Sequence, residues 1–177
     1  MKKKALTTYR VHEGESIRSA LTRWAYKGEH QPVAFAQDAD FLKALDEKAT
    51  QDFIRTGSLA GAVSALSASN SNLNTLAVYS NSTLLAFHPW KGERVTALMV
   101  SGDTLKAAAK QVTQHYDWRW DEKASWLVDD FTFTPYPLVT KEDDISMAMT
   151  TLLGPYPLKA QRLDATKTLY IKEVTPL

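Results

Sequence analysis

The stretch that decides the fold is "YRVHEGESIRSAL", Tyr9–Leu21, in which a short β-like run ends at Val11 and an apolar helix follows a glycine turn. In the continuation "GESIRSALTRWA", apolar residues recur at i, i+3, i+4, i+7 and i+8, which is the spacing of one helix face. Those residues are Ile17, Ala20, Leu21, Trp24 and Ala25. Ser16 is placed to cap the first helical turn. The stretch therefore predicts a strand, a tight turn at Gly14 and an amphipathic helix.

The same pattern returns later in the chain. "GDTLKAAAKQV" repeats the helical spacing behind Thr104, and its Gly102 lies 88 residues after Gly14. A second pair of helices is predicted by "TGSLAGAVSAL", capped by Ser58, and "DDISMAMTTLL", capped by Asp144. Nearly constant offsets between equivalent segments indicate an internal duplication.

Each predicted second helix is followed by a hairpin. "LNTLAVYSNSTLLAF" and "YPLKAQRLDATKTLYIKE" each read as two strands around a polar turn, at Ser80–Ser82 and Asp164–Lys167. We predict an α+β fold of two tandem repeats, residues 7–89 and 94–174, joined by a linker at His88–Arg94. Each repeat is a small sandwich with the order strand-helix-strand-strand-helix-strand-strand, its helices packed on a short mixed sheet.

The middle segments of the two repeats differ. In the first, "DADFLKALDEKATQDFI" predicts an additional short helix before a strand at residues 51–56. In the second, "SWLVDDFTFTPYPLVTK" is aromatic and β-branched, so it predicts extended chain, with two prolines that restrict its pairing to the edge of a sheet.

The composition narrows the function classes. Basic and acidic residues number 21 and 20, so no global field draws the chain to nucleic acid, and the absence of cysteine excludes disulfides and thiolate metal sites. The start "MKKKALTTYRVHEG" is basic but lacks the hydrophobic stretch of about 7–15 residues that a secretory signal needs. We expect either a cytoplasmic protein or a piece of an exported one, with no membrane-spanning segment.

No set of residues predicts catalysis. The histidines at 12, 30, 88 and 115 have no metal-ligand spacing. Asp143 and Asp144 begin a helix, where capping explains them better than acid–base chemistry. Asp129 and Asp130 precede an alternating strand and indicate a turn. We therefore expect no enzyme activity, no cofactor and no metal.

The sharpest local feature is the aromatic run "YDWRWDEKASW", Tyr116–Trp126. Alternation places Trp118 and Trp120 on one strand face, which favours core packing over an exposed interface and turns Arg119 outward. The proline-flanked "FTFTPYPLVT" is an edge strand able to accept a strand from another protein. The predicted partner-binding residues are Tyr136, Leu138, Val139, Thr140, Arg119 and Trp126.

Two resemblances follow from these motifs. "YRVHEGESI" and "VSGDTL" resemble the start of LysM peptidoglycan-binding repeats over about a dozen residues each. Most of both copies resembles the C-terminal domain of the TcpQ and PilL group of type IV pilus proteins, which look like the N-terminal modules of secretins and TonB-dependent receptors. The residues that carry this resemblance in the first copy are Val11, Gly14, Leu21, Trp24, Ala25, Gly57, Ala62, Val63, Leu66 and Asn81. The second copy diverges, with Val112 in place of the tryptophan.

The longer resemblance implies a non-enzymatic, periplasmic or outer-membrane-associated module that binds a secretin or another pilus or secretion-machine protein. Self-association stays open, and nucleic acid is not an expected partner. The shorter resemblance implies the alternative of a LysM-like peptidoglycan-binding protein. A cytoplasmic or phage-encoded adaptor is the third alternative.

Overall fold

A computed structural model describes residues 6–27 and 32–175 and has an α+β fold, as predicted. The helices are α1 Ile17–Tyr26, α2 Ala39–Asp46, α3 Leu59–Ser69, α4 Leu105–His115 and α5 Ile145–Leu153, with a 3₁₀ turn at Ser71–Leu73. The strands are β1 Thr7–Val11, β2 Val33–Phe35, β3 Phe53–Gly57, β4 Ala77–Ser80, β5 Leu85–His88, β6 Val95–Val100, β7 Arg119–Trp120, β8 Tyr136–Lys141, β9 Leu158–Leu163 and β10 Thr168–Glu173. The predicted additional helix is α2, and the predicted hairpins are β4–β5 and β9–β10.

The chain divides into two compact units, the first ending at Ala97 and the second beginning at Leu98. In the first unit β1 pairs with β3, and a separate three-stranded sheet has the order β2-β5-β4. In the second unit β6 pairs with β8, and the three-stranded sheet has the order β7-β10-β9. The strands of each unit thus form two small sheets where one was expected. The pairing scheme is the same in both units, while the duplication and its boundaries at 7–89 and 94–174 stay predictions.

Both three-stranded sheets are mixed, and they are built in the same way. In the first unit β5 pairs in parallel with β2 and antiparallel with β4. In the second unit β10 pairs in parallel with β7 and antiparallel with β9. The closing hairpin of each unit therefore leaves its first strand, β4 or β9, at one edge of the sheet.

The three predicted helix caps, Ser16, Ser58 and Asp144, are present, and Thr104 caps α4 in the same way. The side chains of Ser16, Ser58, Thr104 and Asp144 each accept a hydrogen bond from the backbone N–H three residues ahead, at 2.9–3.3 Å. These bonds satisfy N–H groups that the first helical turn cannot pair internally. Gly14 has φ +85°, a left-handed conformation that favours glycine, and it forms the predicted turn before α1.

The predicted apolar helix faces lie in the cores of the two units, except that Leu59 is only half-buried. Trp24 is the largest fully buried side chain of α1. Its Nε1–H donates to the Arg10 carbonyl at 2.8 Å, and its ring meets that of Tyr9 edge-on with centroids 5.4 Å apart. This indole therefore locks α1 to β1 through both its apolar surface and its polar atom.

The segment interpreted as a linker is His88–Arg94, and residues in its first half are buried. His88 is the last residue of β5 and is buried, as is Trp90. The two rings stack with centroids 5.6 Å apart, and the Trp90 backbone N–H donates to His88 Nδ1 at 3.1 Å. The first part of this segment therefore belongs to the core of the first unit, which corrects its interpretation as a simple connection.

Candidate binding surface

The predicted edge segment lies in β8, which is hydrogen-bonded to β6. Leu138 and Val139 are each 2% exposed, and Thr140 is fully buried with its hydroxyl hydrogen-bonded to that of Tyr116. Tyr136 is half-buried, and its ring centroid lies 5.7 Å from that of Phe133. The side chains of residues 138–140 therefore belong to the core, and their assignment as partner-binding residues stays a prediction.

The aromatic run also packs mainly inward. Trp126 is 8% exposed and belongs to the core of the second unit, and its role in partner binding stays a prediction. Trp118 and Trp120 are half-buried against the same core, as the alternation predicted. Arg119 is exposed, in agreement with its predicted outward direction.

The accessible sheet edge of the second unit is β9. It is the terminal strand in the order β7-β10-β9, and within the described residues no strand is bonded to its outer side. Four of its six residues are exposed, namely Lys159, Gln161, Arg162 and Leu163. An edge of this length presents unpaired backbone N–H and C=O groups, which is the requirement for adding a strand.

The register of β9 against β10 assigns its side chains to two faces. Arg162 is opposite Leu169 and Ala160 is opposite Ile171, both buried, so the even-numbered residues of β9 lie on the face toward α5. Lys159, Gln161 and Leu163 lie on the outer face. Lys159 is opposite Lys172, so two cations face each other on that outer surface.

A groove of about 230 Å³ runs between α5 and this inner face of β9. Its apolar lining comes from Ile145, Met149, Leu153, Leu158, Ala160 and Leu169. The rest of the lining comes from Ser146, Thr150, Gly154, Lys159 and Arg162. An edge strand beside an apolar groove under a helix can hold an extended peptide by backbone hydrogen bonds and by alternate side chains.

Arg162 lines this groove and is hydrogen-bonded to two neighbouring side chains. Its Nη1–H donates to Ser146 Oγ at 2.7 Å, and its Nη2–H donates to Asp164 Oδ1 at 3.0 Å. The guanidinium also lies 5.0 Å from the centroid of the Trp118 ring. Arg162 is therefore held in place, whereas Lys159 makes no ion pair with any described residue.

The turn that resembles a LysM start is hydrogen-bonded to a later segment of the same chain. Gly14 N–H donates to the Ala49 carbonyl and Ala49 N–H donates to the Glu15 carbonyl, each at 2.8 Å. Arg23 pairs with the Glu15 carboxylate and, as the main cause, lowers its pKa. A pocket of about 120 Å³ remains beside Val11 and Ile17.

The second unit covers the equivalent turn in a comparable way. Leu105 N–H donates to the Phe131 carbonyl at 2.9 Å, and Lys106 N–H donates to Asp130 Oδ1 at 3.0 Å. Thr104 and Thr132 form an isolated antiparallel β-bridge there. In both units a later segment of the chain thus hydrogen-bonds to the turn or to the first residues of the first helix, next to the place where a sugar groove would be needed.

Comparison of the chain with protein-family models, with curated proteins and with solved structures gave no match. Within residues 6–27 and 32–175, no helix is long and apolar enough to cross a bilayer. Over those same residues, no three side chains of His, Asp or Glu come together as ligands for a metal ion. His30 lies outside the described residues.

Proposed function

We propose that the protein is a non-enzymatic interaction module of an envelope-spanning type IV pilus, secretion or conjugation apparatus. It binds a secretin or another component of that machine, and it does so by accepting a strand at β9. The resemblance to the TcpQ and PilL group supports the class of machine. The observation that carries the binding mode is the exposed six-residue edge of β9 beside the α5 groove.

Strand addition at β9 is favoured over contact through β8 because of burial. The β8 side chains at positions 138–140 are committed to the core, whereas β9 exposes most of its residues and adjoins open apolar surface. A partner strand at β9 gains backbone hydrogen bonds without rearranging the fold. Its inward side chains would also cover groove residues such as Met149 and Leu153, and each buried methylene contributes about 0.8 kcal/mol.

The test is a pull-down from an envelope extract of the source organism, comparing the wild-type chain with two proline variants of β9, Ala160→Pro and Gln161→Pro. Successive N–H groups of a strand point to opposite edges, so one variant keeps the β9–β10 ladder and removes an outward donor. Circular dichroism and thermal melting identify that variant. Retained proteins are identified by mass spectrometry, and isolated peptidoglycan serves as a parallel bait.

We expect the wild type to recover a secretin or pilus protein. The proline variant that still folds should fail to recover it. Equal recovery by that variant would reject β9 as the binding edge. Retention on peptidoglycan with no protein partner would overturn the proposed function in favour of the LysM-like alternative.

A further inference from the structure

We infer that the segment accepted by β9 is acidic and extended, with a carboxylate opposite Lys159 and an apolar residue beside it opposite Ala160. This inference rests on the proposed function, since it describes the occupant of the same edge. It adds which side chains the occupant needs in order to be selected, because the fold by itself does not specify them.

The geometry requires two different side chains at adjacent positions of the occupant. Lys159 lies on the outer face of β9 and Ala160 on the face toward α5. Residues directly opposite on neighbouring strands have Cβ atoms about 4.5–5.5 Å apart, so each occupant residue meets one β9 side chain. The residue opposite Ala160 enters the apolar groove, and the residue opposite Lys159 lies on the outer face, where Lys159 and Gln161 are exposed.

The charge at that outer position favours an acid. Lys159 and Lys172 are paired across β9 and β10, and like charges directly opposite each other destabilise a sheet. The Lys172 ammonium lies 5.8 Å from the centroid of the Tyr170 ring, and Glu173 is opposite Leu158 rather than Lys159. A carboxylate on an added strand would be adjacent to Lys159 and one strand removed from Lys172.

The same charges argue against a second copy of this chain as the occupant. The β9 sequence "LKAQRL" has two cations and no acid. Pairing of β9 with β9 of another copy would add that copy's Lys159 to an outer surface that already carries Lys159 and Lys172. Charged side chains on edge strands oppose self-association in this way. The inferred partner is therefore an acidic segment of another protein.

The experiment measures binding of fluorescein-labelled peptides to the full chain by fluorescence anisotropy at low salt. The acidic peptide is Ser-Thr-Val-Thr-Glu-Val-Thr-Ser, and the basic peptide has Lys in place of Glu. A third peptide keeps Glu and replaces by Gly the Val that follows it, which alternation places on the groove face. The protein variants are Lys159→Glu and the matched control Lys106→Glu, which makes the same charge change at an exposed position of α4.

We expect the acidic peptide to bind about fivefold more tightly than the basic one, the size of a favourable cross-strand charge pair. Lys159→Glu should reverse this preference, and Lys106→Glu should leave it unchanged. Loss of affinity in the glycine peptide would show that the groove is used.

Equal affinity for the acidic and basic peptides would overturn the inference while leaving strand addition at β9 intact. Unchanged affinity of the glycine peptide would also overturn it, because bulk charge attraction would then explain the binding. Absence of binding by all three peptides overturns it as well. The proposed function is decided separately by the recovery of a protein partner in the pull-down.

Discussion

The two units share one strand-pairing scheme but finish their three-stranded sheets differently. In the first unit the edge strand β4 has four residues, three of them half-buried, and the neighbouring β5 buries both Ala86 and Phe87, which point to opposite faces. In the second unit β9 has six residues, mostly exposed, and β10 ends with Lys172 and Glu173 exposed. The same strand-pairing scheme thus gives a largely buried edge strand in the first unit and a largely exposed one in the second.

The additional residues of the first unit account for part of this difference. It contains α2, whose Phe41, Ala44 and Leu45 are buried, and the segment after β5 that buries Trp90. Within the second unit the connection between β7 and β8 has no helix among the described residues. The first unit therefore buries more side chains around its three-stranded sheet, whereas the second leaves its edge strand β9 mostly exposed.

The largest loss of stability should come from replacing a core residue of one unit by the residue at the equivalent position of the other. Trp24 and Val112 occupy equivalent positions of α1 and α4, and both are fully buried. Trp24→Val leaves a cavity beside Tyr9 and removes the bond to the Arg10 carbonyl, so it should lower the free energy of unfolding by about 3–4 kcal/mol. Urea unfolding measures this loss, and hydrogen exchange read peptide by peptide assigns it to the first unit. The exposed Tyr26→Ala is the control, and a comparable loss there would contradict the cavity explanation.

Acid should destabilise the first unit through His88. Burial lowers the pKa of His88 to about 4, below the value of about 6.5 in an unfolded chain. The unfolded state therefore binds the additional proton first, and stability falls as the pH drops from about 7 toward 4. At pH 4.5 the loss should be about 2 kcal/mol relative to pH 7.

His88→Gln tests this because the amide oxygen keeps an acceptor for the Trp90 N–H while removing the titration. Its unfolding free energy in urea should depend less on pH than that of the wild type. In the second unit burial also lowers the pKa of His115, which acts in the same direction. An unchanged pH dependence in His88→Gln would assign the acid sensitivity to other groups.

The helices and hairpins could be predicted because their signals are local. Ser16 and Asp144 lie directly before apolar runs of helical period, and both act as caps in the structure. Which strands lie side by side is a non-local property. The pairing of β1 with β3 and of β6 with β8 depends on contacts between distant segments, so the periodicity at Val11 or Val139 carried no information about the split into two sheets.

The candidate binding surface was harder to predict for the same reason. Pro137 correctly marked β8 as a strand of limited pairing, but whether its side chains are exposed depends on the core that forms around Leu138. The β9 sequence gave a usable signal, since Lys159, Gln161 and Arg162 make it polar on both faces. Its position at the sheet edge became evident only from the strand order β7-β10-β9.

Alkali should destabilise the second unit through Tyr116. Burial raises the pKa of Tyr116 to about 12 from an ordinary value of 10.0, and burial also raises the pKa of Tyr136. The unfolded state therefore loses its protons first, and stability falls as the pH rises above 10. Between pH 9 and 11 Tyr116 should account for a loss of about 1 kcal/mol, which Tyr116→Phe removes. Urea unfolding at both pH values measures it, and an equal alkaline loss in the variant would contradict it.

The smallest effects should come from the equivalent caps Ser16 and Thr104. Each side chain accepts one N–H of the first helical turn, from Ser19 and Ala107, so replacement by Ala should cost about 1 kcal/mol in either unit. Exchanging the two hydroxyl residues, as Ser16→Thr and Thr104→Ser, should change the unfolding free energy by less than about 0.5 kcal/mol, because both side chains offer the same acceptor. Urea unfolding of the four variants measures these costs. A loss confined to one unit would show that the two turns, although alike in sequence and geometry, stabilise their helices by different means.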